Sequence, residues 1–351
     1  MNILHISTAQ SWRGGERQVK FLLDGLKNKD IEVHLMTPHN SALSQRCGLK
    51  ESSILVYNKG IFSIWKNIRS LTKYCARKKI DIIHGHDSHA HSLLWLAYRF
   101  GGLTVKSVVT RRLLNPVKAR SLNKYNHPKI EKIICISRAV KNSIAPSILN
   151  PDRLEVIHSG IDLQTVSSLK KSSEKKKIVV GYVAAFTEEK DHETFVATAN
   201  LLMKYNPEYE YQFLLVGDGP TKSRIMEKTA KFHEKFSFTG FVKHVESEYD
   251  KMDVLLHTCQ SEALGTSILD AMKYGVPVVA ANSGGIPEII DDGINGFLCT
   301  PGDEQQFAGK VHQLGIASVL KDKVSHQAIQ SLNQFDISEM IDKTVVLYGK
   351  I

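Results

Sequence analysis

The stretch SEALGTSILDAM, residues 261–272, contains two carboxylates whose spacing suggests chemistry. Glu262 and Asp270 lie eight residues apart in a mostly small and apolar setting, directly before the run GVPVVAA. The Gly-Thr-Ser triplet between them predicts a helix from about Ser267, which places Glu262 in the preceding loop and Asp270 in the first helical turn. Carboxylates accept hydrogen bonds from sugar hydroxyls and helix N–H groups hold phosphate, so the pattern favours a phosphorylated polyol. A plainer interpretation of Asp270, an acid favoured by the helix dipole, is also open.

Turns that follow predicted strands supply groups suited to phosphate. Gly14 and Gly15, in WRGGE, follow the first strand and open a helix, where backbone N–H groups can approach an anion. Lys190, in the loop after the first strand of the second half, is a mobile cation suited to phosphate oxygens. Gly217, in VGDGP, permits close backbone approach at a third turn. Plainer interpretations are a strand-to-helix corner for Gly14 and Gly15 and a solvated lysine in the cluster EEKDHE for Lys190, while VGDGP is a weak signal by itself.

The segment HGHDSHAH, residues 84–91, is rich in histidine and raises the question of a metal site. The binuclear hydrolase pattern HxHxDH requires an acid directly before the third histidine, whereas Ser88 follows Asp87 here. The sequence has no HExxH motif and no acid-rich ligand set elsewhere, so we predict that no metal is bound. We expect His86 to make a polar contact in a cleft at the end of its strand. The other histidines are interpreted as structural or exposed: His84, His89 and His91.

Short β-branched runs alternate with amphipathic segments along the chain, which predicts two doubly wound, parallel α/β domains. The first half has predicted strands at MNILHIS, IEVHLMT, IDIIHGH, VKSVVTR, KIICIS and RLEVIHSGID, and helices at ERQVKFLLDGLK, SIWKNIRSLTKYCARK and SLLWLAYRF. After the polar linker SSLKKSSEKKK, strands are predicted at IVVGYVAAF, YQFLLVGDG, FSFTGFV, DVLLHT, VPVVAA and GFLCT, and helices at 194–205 and ILDAMKYG. SGGIPE predicts one more helix start, with Pro287 in its first turn, and FDISEMIDKTVVLYGKI predicts a C-terminal helix.

Composition and charge bound the class of protein. A length of 351 residues suits two domains, and 42% hydrophobic with 23% charged residues is typical of a globular protein. We expect no secretory signal and no membrane span, and the five scattered cysteines predict reduced thiols. Residues 1–165 carry 26 Lys and Arg against 11 Asp and Glu, a net +15, whereas the rest carries 20 against 25, a net −5. A basic first half predicts an anionic partner, such as a membrane surface, a lipid-linked or phosphorylated glycan, or nucleic acid. A basic surface that serves only solubility is the plainer interpretation.

In their order along the chain, these motifs resemble the retaining GT-B glycosyltransferases of family 4, the "glycosyl transferases group 1". The resemblance covers nearly the whole chain and is carried by WRGGE, IDIIHGH, CISRAV with VIHSGID, EEKDHETF, VGDGP, FTGFV, SEALGTSILDAMKYGVPVVA, SGGIPEII, NGFLCTPGD and FDISEMIDKTVVLY. It implies two Rossmann-like domains facing a central cleft. The first, residues 1–165, binds the acceptor and the second, 166–334, binds the donor, with a helix at about 335–351 packing back on the first. The implied reaction moves a sugar from a nucleotide-diphosphate sugar to an acceptor hydroxyl, with retention and without a metal or other cofactor.

The resemblance also assigns roles to residues. Lys190, Glu262 and His86 are the implied catalytic residues: Lys190 neutralises the donor diphosphate, Glu262 contacts the donor sugar, and His86 touches the sugar or its phosphate. Asp270 is implied to bind the ribose. The other implied donor contacts are the diphosphate-facing Gly14 and Gly15, the turn residue Gly217, the base-facing Phe241 and Val242, and the backbone of Ala263, Leu264, Gly265, Thr266 and Ser267.

Two positions depart from the family pattern. The second acid of the E-x7-E motif is Asp270 instead of glutamate, and the arginine expected five residues before Lys190 is Ala185. The second departure removes one diphosphate cation, so we expect either that another basic residue, Arg13 or Arg17, replaces it or that donor binding is weaker.

The acceptor is expected on the basic first domain, with Arg111 and Arg112 as its candidate contacts. We expect a glycan or lipid-linked glycan of cell-envelope or surface polysaccharide synthesis. The expected location is cytoplasmic, with peripheral contact at the inner face of an anionic membrane. One alternative is a sugar-nucleotide epimerase of the same fold, which would need further acid–base residues. Another is a basic nucleic-acid-binding protein, which the acidic second half and the lack of aromatic interleaving disfavour.

Overall fold

The computed structural model describes residues 1–164, 176–205 and 208–351. They form two compact units: the first comprises Met1–Gly160 and Ile337–Ile351, the second Ile161–Asp336. The predicted linker SSLKKSSEKKK lies mostly outside the described residues.

The observed division of the chain falls after Gly160, before the predicted boundary at residue 165. Ile161 belongs to the second unit because its N–H donates to the carbonyl of Phe335 at 2.8 Å, and because it forms an isolated bridge with Asp336. The same contacts hold residues 335 and 336, which the sequence had assigned to the C-terminal helix, in the second unit.

The first unit is built on a parallel seven-stranded sheet in the order β3-β2-β1-β4-β5-β6-β7. Its strands are β1 (Asn2–Ile6), β2 (Glu32–Pro38), β3 (Ile54–Tyr57), β4 (Ile82–Gly85), β5 (Lys106–Arg111), β6 (Ile130–Cys135) and β7 (Leu154–Val156). Its helices are α1 (Gly14–Leu26), α2 (Ala42–Arg46), α3 (Ile64–Lys78), α4 (Ser88–Phe100), α5 (Leu122–Tyr125), α6 (Arg138–Ile144) and the C-terminal α13 (Ile337–Tyr348).

The second unit is built on a parallel six-stranded sheet in the order β10-β9-β8-β11-β12-β13. Its strands are β8 (Lys177–Val183), β9 (Glu210–Val216), β10 (Phe236–Gly240), β11 (Val254–His257), β12 (Val278–Ala281) and β13 (Phe297–Cys299). Its helices are α7 (His192–Tyr205), α8 (Lys222–Thr229), α9 (Glu246–Tyr249), α10 (Thr266–Lys273), α11 (Glu304–Ile316) and α12 (Ser318–Ser331).

Apolar spacing explains how the helices cover the sheets. The predicted stripe Val19, Leu22, Leu23 and Leu26 is buried in α1. A Cβ atom at Gly25 would lie 2.2 Å from Cδ1 of Ile341, so α1 and α13 pack closely and the last helix lies in the first unit.

Both sheets reverse their strand order at one point, between β1 and β4 in the first unit and between β8 and β11 in the second. In open α/β sheets, ligands bind outside the carboxyl ends of the strands at such a switch point. The candidate residues His86, Lys190 and Glu262 follow β4, β8 and β11, the strands that flank these points.

The sequence prediction was wrong or silent at several elements. SGGIPE starts no helix but only a three-residue 3₁₀ turn, Ile286–Glu288. Strand β3 and the helices α2, α5, α6, α8, α9, α11 and α12 were not predicted. All five cysteines are buried free thiols. Within the described residues, each helix is too short or too polar to cross a membrane.

Candidate functional site

Lys190 and Glu262 meet at the carboxyl ends of β8 and β11. Lys190 closes the 3₁₀ turn Glu188–Lys190 after β8, and its Nζ donates to Oε2 of Glu262 at 2.5 Å. Their side chains remain 22% and 13% exposed, so the ion pair is accessible from solvent. The structure thus joins two implied catalytic residues in one direct contact.

The ion pair holds both groups in their charged forms. Burial alone would raise the pKa of the Glu262 carboxyl, but Lys190 and then His257 outweigh it and hold this pKa well below its usual range. Burial would likewise lower the pKa of the Lys190 ammonium, but Glu262 outweighs it and raises this pKa. A fixed carboxylate beside a fixed ammonium suits a ligand that carries both hydroxyl and phosphate groups.

His257 is a site residue that sequence reasoning missed. It is the last residue of β11 and is fully buried, and its Nε2 lies 3.4 Å from Oε2 of Glu262. Its position at the end of a strand beside the switch point was the one sequence signal that could have identified it.

Polar contacts with neighbouring residues fix the loop that carries Lys190. The Tyr182 hydroxyl donates to the Lys190 carbonyl at 2.6 Å, and the Thr258 hydroxyl donates to the Asp191 carbonyl at 2.8 Å. Asp191 has a φ of 48° and accepts hydrogen bonds from the N–H and hydroxyl of Thr194 at the start of α7. The lysine therefore projects from a rigid turn rather than from a solvated charge cluster.

The loop that carries Glu262 rests on the SGG segment, residues 283–285. The Gly285 N–H donates to the Glu262 carbonyl at 2.9 Å, and the Ser283 hydroxyl donates to the Cys259 carbonyl at 2.7 Å. A Cβ atom at Gly285 would lie 2.4 Å from the carbonyl oxygen of Ala263, so only glycine fits without displacement. The motif that was predicted to start a helix instead supports the acidic loop.

Helix α10 begins at Thr266, one residue earlier than predicted. Its N-cap is Gly265, whose φ of 105° favours glycine, and not a serine or threonine. Asp270 therefore lies in the second turn rather than the first. Thr266, Ser267 and Asp270 are half-buried, as is Ala263, whereas Leu264 is buried. The backbone N–H groups of the first turn lie beside Glu262 in sequence and are those that a helix leaves without internal partners.

The remaining implied donor contacts lie around β9 and β10. Gly217 has a φ of 143°, and a Cβ atom there would lie 1.9 Å from the Ala184 carbonyl oxygen. Local packing therefore requires a glycine at this position, whether or not a donor binds there. Phe241 is 64% exposed and Val242 is half-buried.

Ala185, where the family pattern has arginine, is exposed in the turn after β8. Another cation of the second unit, Lys222, lies near the turns that follow β9 and β10. Nζ of Lys222 is 3.9 Å from the Asp218 carboxylate and 3.4 Å from the position of a Cβ atom at Gly240. Sequence reasoning did not consider this lysine.

In the first unit, Gly14 and Gly15 are the first two residues of α1. The Arg13 N–H donates to the Glu16 carboxylate at 3.0 Å, which caps the helix two residues before the predicted start. A Cβ atom at Gly15 would lie 3.7 Å from Cδ of Arg112, so this arginine packs beside the glycine pair.

His86 is buried in a group of imidazoles. Its Nε2 lies 2.9 Å from Nδ1 of His5, while His84 contacts the Tyr348 hydroxyl at 2.6 Å and the Thr110 hydroxyl at 2.7 Å. Burial lowers the pKa of His5 to about 3 and lowers those of His84 and His86 well below the usual value, so all three are neutral.

Metal binding is tested by the same contacts. His5, His84 and His86 offer ring nitrogens within 4.8 Å of one another. Both nitrogens of His84 are already hydrogen-bonded, and the adjacent Arg112 is a cation. The neighbouring Asp87 accepts from the N–H groups of His89 and Ala90 as the N-cap of α4. His91 is buried against the Lys124 carbonyl at 3.2 Å, and His89 is exposed. A metal would have to displace these bonds.

Arg111 and Arg112 have different surroundings. Arg111 donates to the Tyr125 hydroxyl at 3.0 Å and to the Asn115 carbonyl, and its guanidinium lies 5.8 Å from the Tyr125 ring centroid. Arg112 donates to the Ser159 hydroxyl at 3.3 Å and lines a cavity with His84 and His86. Burial lowers its pKa to about 10, although Glu16 and Asp87 act in the opposite direction. Only Arg112 of this pair faces the cavity.

Two models of known protein families match this chain, one in each half. The family model described as "Glycosyltransferase Family 4" matches residues 12–165, and the one described as "Glycosyl transferases group 1" matches residues 177–315. The chain is similar to N-acetyl-alpha-D-glucosaminyl L-malate synthase of Bacillus anthracis, with 25% identity over 79% of this chain and 77% of that one. It is also similar to an uncharacterized 41.2 kDa protein in the cps region of Klebsiella pneumoniae, with 24% identity over 99% of each chain.

Among solved structures, Anabaena Alr3699/HepE in complex with UDP-glucose superimposes with a TM-score of 0.82 at 18% identity, over 100% of both chains. At this identity the likeness establishes the fold, which is GT-B. Since the two family models together span most of the sequence, the chain belongs to the family 4 glycosyltransferases and is a glycosyltransferase enzyme.

Proposed function

We propose that this glycosyltransferase moves a sugar from a nucleotide-diphosphate sugar to an acceptor hydroxyl with retention at the anomeric carbon, and that Lys190 and Glu262 are its donor-binding centre. The contact of Lys190 with Glu262, 2.5 Å long and accessible at the switch point of the second sheet, carries this proposal. The UDP-glucose bound to Alr3699/HepE supports a nucleotide sugar as the donor.

The charges of the pair suggest how the donor is held. An arriving diphosphate offers Lys190 oxygen acceptors in place of the Glu262 carboxylate, and the N-terminus of α10 adds backbone donors. Glu262, released from the lysine, then accepts hydrogen bonds from donor-sugar hydroxyls, and Asp270 accepts from the ribose. While Lys190 is paired with it, the low pKa keeps the Glu262 carboxyl ionised, so Glu262 meets the arriving donor as a hydrogen-bond acceptor.

Retention by front-face attack is the mechanism that we favour. The acceptor hydroxyl would attack from the side that the leaving diphosphate vacates, and a phosphate oxygen would take its proton. Lys190 stabilises the negative charge that develops on the leaving phosphate, which is the usual task of a fixed cation in such a site. No metal is required for this step, and His86, as a neutral imidazole, would contribute a hydrogen bond to the donor.

We further propose that the acceptor is a glycan or lipid-linked glycan of lipopolysaccharide or another surface polysaccharide, made at the cytoplasmic face of an anionic membrane. The similarity to a protein from a cps region supports the class of acceptor. The net charge of +15 over residues 1–165 supports an anionic surface or acceptor at the first unit.

Thermal melting in the presence of UDP-, GDP- and ADP-sugars tests the donor. A matching nucleotide sugar at 100 times its Kd should stabilise the fold by about 2.7 kcal/mol. The anomeric configuration of the product, read by NMR, then tests retention, and loss of transfer on addition of EDTA would contradict the metal-free mechanism.

The same assay separates the two alternatives. An epimerase would convert the donor sugar into its epimer without any acceptor, with no glycosidic product. A nucleic-acid-binding protein would be retained on DNA with a steep salt dependence and would not be stabilised by any nucleotide sugar.

A further inference from the structure

Three large aromatic side chains are exposed on the first unit. Phe62 is 97% exposed, Trp65 is 61% exposed and Phe100 is 58% exposed. The rings of Trp65 and Phe100 meet edge to face with their centroids 6.0 Å apart, although 35 residues separate them in sequence. Phe62 lies two residues before the start of α3 at Ile64 and three residues before Trp65. Exposed apolar groups that lie together in this way mark a surface for a partner.

Packing explains why these rings face solvent. Helix α3 buries Ile68, Leu71 and Cys75, and α4 buries Leu93, Leu94 and Ala97. A Cβ atom at Gly101 would lie 2.4 Å from Cγ2 of Ile68, so the end of α4 closely approaches α3. The core positions of both helices are filled by other residues, and the aromatic rings occupy the outer sides.

The surroundings of these rings are strongly basic. Residues 52–80 contain seven Lys and Arg and no Asp or Glu, and residues 88–130 contain eight Lys and Arg and again no acid. The cations nearest in sequence to the rings are exposed: Lys59, Lys66, Arg69 and Arg99. The guanidinium of Arg99 lies 5.9 Å from the Phe100 ring centroid.

We propose that this aromatic-basic patch, formed by Phe62, Trp65 and Phe100 with Lys59, Lys66, Arg69 and Arg99, binds the surface of an anionic lipid bilayer. Tryptophan is favoured at the level of lipid headgroups, and phenylalanine rings insert at the boundary between headgroups and acyl chains. Each basic residue near such a surface contributes about 1 kcal/mol, and this contribution is screened by salt. Together the two kinds of side chain provide an apolar insertion and an electrostatic attraction, and peripheral membrane binding generally requires two such signals.

A second copy of this chain fits the patch poorly. Symmetric pairing of the patch with itself would bring like charges together in segments that contain no compensating acid. Charge complementarity therefore favours an anionic occupant over self-association. The inference rests on the exposed residues and not on the proposed reaction, although a lipid-linked acceptor would give it a purpose.

Vesicle sedimentation without donor or acceptor tests the proposal. The full chain should bind vesicles of phosphatidylcholine and phosphatidylglycerol in equal parts, bind pure phosphatidylcholine at least about tenfold more weakly, and dissociate as salt is raised. The triple variant Phe62→Ser, Trp65→Ser and Phe100→Ser should lose at least about tenfold in binding to the mixed vesicles. The matched control is Leu149→Ser with Val319→Ser, which removes side chains that are 87% and 82% exposed elsewhere and should bind as the wild type does.

A second variant removes the positive charges of the patch instead of its aromatic rings. Replacing Lys66, Arg69 and Arg99 with Gln should weaken binding and flatten its salt dependence, while the aromatic rings remain. Wild type that does not bind the mixed vesicles, or a triple variant that binds as wild type does, would overturn the proposal. So would a dimer, seen by sedimentation velocity, that the triple variant abolishes. Stabilisation by nucleotide sugars is measured separately, so failure of the proposed reaction and failure of the membrane contact are distinguishable.

Discussion

The two sheets present polar residues at equivalent topological positions but in opposite electrostatic states. At the carboxyl ends of β1 and β4, His5, His84 and His86 are buried and hydrogen-bonded to neighbours, and their lowered pKa values keep them neutral. At the carboxyl ends of β8 and β11, Lys190 and Glu262 are partly exposed and hold each other charged. Polar residues thus lie at both switch points, but burial and the neighbouring groups decide whether each residue is charged.

Lys190 and Glu262 together form a charged region, and removing its cation should have the largest effect. Lys190→Gln should lower kcat/KM by about 10³-fold, because it removes the fixed charge that faces the leaving diphosphate. Steady-state transfer assays measure it. Lys321→Gln is the matched control, since Lys321 pairs with Asp253 at 2.9 Å in the same unit and its side chain is 20% exposed. Equal losses in both variants would assign Lys190 to stability alone.

Replacing the partner acid should have the next largest effect. Glu262→Gln should lower kcat/KM by about 10²-fold, because the amide accepts fewer hydroxyl hydrogen bonds and donates where acceptance is needed. Because the pair is partly exposed, the loss of stability should be about 1 kcal/mol. Calorimetry and transfer assays on one preparation measure both. A large fall in Tm with normal transfer would return Glu262 to a structural role.

His5, His84 and His86 form a neutral region. Its contribution to stability should fall at a mildly acidic pH at which that of the charged region is unchanged. The pKa of His5 is lowered to about 3, so its contribution to stability is complete above its unfolded pKa and is lost as the pH falls towards 3. At pH 5 the cost should be about 2 kcal/mol, or roughly 30-fold in the unfolding equilibrium, for each fully buried histidine of this kind. Glu262 has a lowered pKa, so its contribution is present above the ordinary carboxyl pKa of about 4.3 and is lost only below it.

Hydrogen exchange at pH 7 and pH 5 measures this contrast unit by unit. The first unit should become less protected than the second, because burial strongly lowers the pKa values of His5, His84, His86 and His91, whereas the second unit has His192 at about 4. His5→Gln should reduce the dependence of unfolding free energy on pH. Equal loss of protection in both units would contradict the neutral assignment of the imidazoles.

The sequence predicted the strands of both sheets better than the contacts at their ends. Periodicity located β1, β4, β8 and β11 because buried parallel strands are short runs of β-branched residues. It could not bring Lys190 to Glu262, because 72 residues separate them and only the pairing of β8 with β11 makes them neighbours.

The sequence also could not predict what surrounds each side chain. Arg111 and Arg112 are adjacent and chemically identical, yet one packs on Tyr125 and the other lines a cavity. Side chains of consecutive residues in an extended segment point to opposite sides, and nothing in the sequence states which side has the cavity. SGGIPE was misinterpreted for a similar reason, since its glycine serves a close approach to a loop 22 residues earlier.

That close approach gives a smaller and more specific test of the charged region. Gly285→Ala should lower transfer about tenfold, because the new Cβ atom would lie 2.4 Å from the Ala263 carbonyl and displace the loop that carries Glu262. Gly309→Ala, in helix α11, is the control, since its Cβ would meet its nearest neighbour at an ordinary 3.7 Å. Activity of Gly285→Ala equal to that of the control would show that the loop position is unimportant.

The smallest expected effect concerns the cation missing at Ala185, and it asks which unit replaces it. Lys222 lies beside the turns that follow β9 and β10 in the second unit, whereas Arg13 is an exposed N-cap residue in the first. If the charged region is self-sufficient, Lys222→Ala should raise donor KM about fivefold with kcat little changed, because a mobile surface cation contributes about 1 kcal/mol to binding a diphosphate. Arg13→Ala should then leave donor KM unchanged. The reverse result, with donor KM raised only by Arg13→Ala, would show that the first unit supplies the cation, as the sequence had suggested. Because both changes remove one charge from a solvent-accessible side chain, the comparison of the two KM values isolates position from charge.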